Sequence, residues 1–90
     1  MKWRYFGRTG GVGKVVDIFR LPAALYDGKL DFDHFRAMER LLPDGSWVGG
    51  QGERAEKNWM AGWFDEEDEI DAVTVKNLMQ KWEAEGWPNK

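Results

Sequence analysis

The chain of 90 residues contains no cysteine, one histidine (His34) and one serine (Ser46). The missing thiols exclude disulfides, thiolate zinc sites and cysteine nucleophiles, and a lone imidazole leaves no pair for a metal or catalytic centre. No run of 18 apolar residues occurs, so no membrane-spanning helix is expected. The opening Met1-Lys2-Trp3-Arg4-Tyr5 lacks the apolar stretch of a signal peptide, and the expectation is a cytoplasmic protein. Proline is confined to Pro22, Pro43 and Pro88, where it reads as punctuation between elements.

Aromatic residues, by contrast, make up 14% of the chain and include six tryptophans, Trp3, Trp47, Trp59, Trp63, Trp82 and Trp87. A chain this short buries only about 60 to 65% of its surface on folding, and large rings help to close such a core. They are also enriched at interfaces. The formal charge is −3, but it is unevenly placed. Residues 1 to 20 carry Lys2, Arg4, Arg8, Lys14 and Arg20 against Asp17 alone, whereas residues 65 to 71 carry six acids and no base.

The expected fold is a single α+β domain over residues 1 to 90, an antiparallel sheet of three or four strands packed by a C-terminal helix, with one further short helix. The aromatic run WRYFGR and the β-branched run KVVDIFRL, separated by Gly10, Gly11 and Gly13, predict a β-hairpin closed by Pro22. Residues 23 to 33 read as a loop with room for a short strand. Residues 32 to 42 fit both helical spacing, with Asp31 as the N-cap, and strand spacing, and the Pro43-Asp44-Gly45 turn leading into Trp47-Val48 tips the reading towards strand. Ala55, Trp59 and Trp63 recur every four residues and predict a helix from Glu53 to Ala61. Residues 70 to 73 read as extended. Val75, Leu78, Met79 and Trp82 then share one helical face, with Thr74 as N-cap and Gly86 past the C-terminus.

Three segments imitate chemical motifs. TGGVGKV, Thr9 to Val15, is similar to the phosphate loop of P-loop ATPases, but Val15 stands where the Mg²⁺-binding Ser or Thr belongs and a strand pattern follows where a helix is required. DGKLDFDHF, Asp27 to Phe35, resembles the second half of an EF-hand loop, yet Ala23, Leu25 and His34 occupy ligand positions. The acidic run Asp65 to Glu69 has neither the separation nor the pocket that paired catalytic carboxylates need. No catalytic residue, metal set or cofactor is read from the sequence, and His34 has no nucleophile or acid at a recognisable spacing.

The run Arg40-Leu41-Leu42-Pro43-Asp44-Gly45-Ser46-Trp47-Val48, the segment Glu69-Ile70-Asp71-Ala72-Val73-Thr74 and a closing helix with Trp82 are similar in order to small uncharacterised bacterial proteins. The resemblance spans roughly residues 36 to 85. It implies a hairpin turn at Pro43 to Gly45 and a helix starting at Thr74, and it implies no activity; the long segment 21 to 34 departs from the pattern.

Two functions of different class follow. The first is a non-enzymatic protein-interaction module, in which an aromatic patch of Trp47, Trp59 and Trp63 binds a protein partner or a second copy. The second is an anion site along the first hairpin, where Arg4, Arg8 and Lys14 hold an anionic ligand or a single strand stacked on aromatic faces. The net negative charge disfavours nucleic acid as a partner, and no membrane association is expected.

Overall fold

The computed structural model describes residues 2 to 10 and 13 to 88. Strands β1 (Trp3–Thr9) and β2 (Val15–Pro22) form the expected hairpin, pairing from Trp3 opposite Pro22 to Arg8 opposite Asp17 with a bulge before Thr9. A strand, and no helix, follows the glycine loop, whose central Gly11 and Val12 lie outside the described residues. A 3₁₀ turn, Ala23–Leu25, then leads to α1 (Phe32–Ala37), β3 (Glu39–Leu41), β4 (Trp47–Val48), α2 (Gly52–Met60), β5 (Glu69–Ile70) and α3 (Ala72–Glu85). All pairings are antiparallel, in the order β4-β3-β2-β1-β5. No described helix is long and apolar enough to cross a membrane.

The α+β class is as expected, but the sheet has five strands where three or four were predicted. The strand beyond that count is β5, which overlaps the segment 70 to 73 read as extended but has only two residues, too few for an alternation to register. Residues 32 to 42, expected as strand, divide at Met38 into a helix and a strand. The Asp31 side chain accepts from the backbone N–H of Asp33 (3.0 Å) and of His34 (3.1 Å), and His34 Nδ1 accepts from Asp31 N–H (3.1 Å), a reciprocal cap that fixes α1. Residues 23 to 33 contain no strand.

The last helix starts at Ala72, two residues before the expected Thr74. Its cap is Asp71, which accepts from Thr74 N–H at 2.7 Å, so Thr74 is the capped residue. The β-branched Val73 therefore belongs to the first helical turn despite its strand propensity. At the other end Gly86 takes a positive φ of 103°, as a helix-ending glycine does.

Period-two alternation along β1 and β2 divides the interior into two cores. Phe6, Phe19 and Leu21 face α1 and α2 and pack with Leu30, Phe35, Met38, Ala55 and Phe64. Ile18, with Tyr5, Trp47 and Ile70 around it, faces α3 and meets Val75, Leu78, Met79 and Trp82. The sheet is thus covered on both sides, where the sequence suggested one.

Helix α2 lies close against α1 because residue 52 has no side chain. A Cβ there would stand 3.2 Å from both Arg36 Cα and Phe35 O, backbone atoms that cannot swing aside. Gly52→Ala is therefore expected to destabilise the protein by about 1 to 3 kcal/mol despite alanine's better helix propensity, because the overpacking outweighs it. Urea unfolding checks this, and an unchanged or raised midpoint would show that the two helices separate at little cost.

Candidate functional site

On β2 the alternation that buries Phe19 and Leu21 also buries Asp17, which is 3% exposed. A carboxylate taken out of water needs cationic partners. Arg40 of β3 shares its Nε–H between Oδ1 (3.0 Å) and Oδ2 (3.1 Å) of Asp17. Arg8 stands opposite Asp17 in the β1–β2 register, and Arg54 reaches towards it from α2. Burial pushes the Asp17 carboxyl above its ordinary value, while Arg40 and then Arg54 and Arg8 pull it back.

Three guanidinium groups thus gather around one carboxylate, and the hydrogen bonds of that carboxylate go to Arg40. Arg54 has no ion pair among the described residues. Arg8 lies under the indole of Trp63, 4.3 Å from the ring centre, with its Nε buried and without a hydrogen-bond partner. Beside this cluster opens a cleft of about 520 Å³ lined by Gly50, Gln51, Glu53, Arg54, Lys57, Asn58, Ala61 and Trp63. Lys57 pairs with Glu53 one turn earlier at 3.0 Å, and both are well exposed. Gln51, the residue before α2, makes no side-chain cap, so the positive end of the helix adds to the field at the rim.

The structure scatters the residues singled out from the sequence. Trp47 lies on the α3 side of the sheet, where Arg20 is stacked 4.5 Å from it and 3.8 Å from Trp3. Trp59 lies on the other side, half-buried against Phe35 (5.3 Å between centroids) and Phe32 (5.9 Å). Trp63 is 48% exposed and faces the cleft. These three rings share no common surface.

The basic residues are separated as well. Arg4 is held by both carboxylate oxygens of Glu69, at 2.8 Å from Nη2 to Oε1 and through Nε to Oε2. Lys14 lines a different depression, with Lys81, Trp82 and Glu85. Of the six candidates only Arg8 and Trp63 meet. The acidic run is largely occupied in caps and pairs: Asp65 and Asp68 cap a 3₁₀ turn, Glu66 accepts from Leu30 N–H at 2.9 Å, Glu69 holds Arg4 and Asp71 caps α3.

His34 is likewise engaged, since Nε2 donates to Leu25 O at 2.7 Å while Nδ1 accepts from Asp31. Ser46 donates to Asp44 Oδ1 at 2.6 Å within its own turn. Asp17, Arg40, Arg54, Lys57 and Asn58 were not singled out from the sequence. The available signal was Asp17 itself, a lone carboxylate in phase with the apolar residues of its strand.

Because the folded state raises Asp17, the folded protein keeps that proton at pH values where the unfolded chain has released it. Its contribution to stability is full below the ordinary carboxylate range and is lost as pH rises through the raised value. The stability advantage of the wild type over Asp17→Asn is thus expected to grow on acidification through this window, measured by urea unfolding at several pH values. An advantage that shrinks instead would mean that the attraction of Arg40 outweighs burial. No protein family, curated protein or solved structure matches the chain, so the functional reading rests on the chemistry of this site.

Proposed function

We propose that this protein is a non-enzymatic binding module that takes an anionic group in the cleft between α2 and Trp63. One observation carries the reading: the hydrogen bonds of the buried Asp17 carboxylate go to Arg40, and Arg54, which lines the cleft, has no ion pair among the described residues. An anion entering there meets the Arg54 fork and Lys57 three residues on, in competition with Asp17 for the first and with the exposed Glu53 for the second. Exposed pairs of that kind contribute little, about 0.3 to 0.5 kcal/mol, so displacing Glu53 is easy.

Binding without turnover fits the state of the polar side chains elsewhere. Both ring nitrogens of His34 and the hydroxyl of Ser46 are committed to local structural bonds. A second reading, docking of a protein partner or a second copy, is favoured by Phe32, which is 55% exposed against the half-buried Trp59, and by the exposed Leu25. Salt separates the two, because an ionic site weakens as screening rises and an apolar contact does not.

Titration with inorganic phosphate at low salt, followed by amide NMR shifts, is expected to move Gly50, Gln51, Arg54 and Asn58 together. Arg54→Gln should weaken that binding about tenfold or more, the usual loss for a hydrogen bond to a charged group. Shifts spread over the whole surface, or an affinity unchanged in Arg54→Gln, would overturn the assignment.

A further inference from the structure

Trp63 is placed as a platform. Its N–H donates to Asn58 O at 2.9 Å and its carbonyl accepts from Thr9 N–H at 3.3 Å, which ties the backbone to the end of α2 and to β1. Arg8 stacks on one face of the indole, and Arg8 is not among the residues that line the cleft. Trp63 is nevertheless 48% exposed and lines the same cleft as Arg54 and Lys57. A half-exposed indole backed by a cation is suited to receive a second planar ring, since every base presents a π face that stacks on an aromatic side chain.

The remaining lining supplies what such a ring would carry with it. Arg54 offers a planar fork of donors and Lys57 a mobile point charge, three residues apart on one side of α2 and suited to a phosphate group. Asn58, nearly buried and also on the cleft, has an amide that can donate to and accept from a ring edge. At about 520 Å³ the cleft falls within the range of small-molecule sites. The net charge of −3 disfavours phosphates that extend beyond one unit.

We infer that the ligand of this cleft is a mononucleotide, its base stacked on the open face of Trp63 and its phosphate held by Arg54 and Lys57. The inference rests on the anion-binding reading above and adds the ring to it. The chemistry of base plus phosphate is shared by a free nucleotide and by a unit of a single strand, and the net charge of −3 favours the free form.

Calorimetric titration of the whole chain with adenosine 5′-monophosphate, adenosine, inorganic phosphate and a short oligoadenylate tests it. The monophosphate is expected to bind at least about tenfold more tightly than inorganic phosphate or adenosine. In Trp63→Leu that preference over inorganic phosphate should vanish while phosphate binding persists, and in Arg54→Gln the monophosphate and inorganic phosphate should both weaken. Thermal unfolding confirms that each variant is folded. Equal affinity for the monophosphate and inorganic phosphate would overturn the stacked base and leave the anion site standing, whereas no binding of either would overturn both. Tighter binding of the oligoadenylate than of the monophosphate would overturn the preference for a free nucleotide.

Discussion

The burial of one carboxylate organises half of this molecule. Asp17 sits on the central strand of the sheet, on the same side as Phe19 and Leu21, and cannot turn to water without removing those side chains from the core. Its charge has to be met from within. Arg40 meets it across the β2–β3 pairing, and Arg8 and Arg54 converge on it from β1 and α2, so one titratable group ties together three strands and a helix. A buried ion pair is a weak source of net stability, because desolvation offsets much of the attraction. Its strength lies in position: once the carboxylate is fixed, the places of the cations around it are fixed as well.

The same alternation explains the two-sided architecture. Neighbouring residues on β1 send Tyr5 towards α3 and Phe6 towards α1 and α2, and β2 does the same with Ile18 and Phe19. Each core is small, and aromatic rings fill much of it, with Phe19 stacked on Phe64 at 5.4 Å and Phe6 edge-on to Tyr26 at 5.3 Å. Between Trp3 and Trp47, Arg20 is held as a flat layer while its Nε donates to Glu39 at 2.7 Å. Most of the tryptophans are consumed in such packing, and this leaves Trp63 with a distinct part to play.

What could be read from the sequence depended on the range of the interactions involved. The first hairpin and the apolar stripe of α3 were legible because their signals are local and long enough to repeat. The strand β5 was not, since nothing repeats in two residues, whereas the equally short β4 was legible through the Pro43-Asp44-Gly45 turn before it. Residues 32 to 42 deceived because one segment holds two elements, and the deciding feature was the cap between Asp31 and His34, whose geometry composition does not display. Among the site residues, Arg8 and Trp63 were picked for residue type alone. Their meeting across 55 positions depends on how β1 and the end of α2 are brought together, and no spacing rule encodes that.

The brevity of β4 and β5 has a consequence for how this protein behaves in company. Both outer margins of the sheet are two-residue stubs, and Thr9 on β1 gives its N–H to Trp63 instead of leaving it open beyond β5. A foreign strand laid alongside β4 or β5 would find little main chain to pair with, and fibrillar stacking through these two strands is correspondingly discouraged. Despite its wealth of aromatic side chains, the molecule ends its sheet on each side in a strand of only two residues.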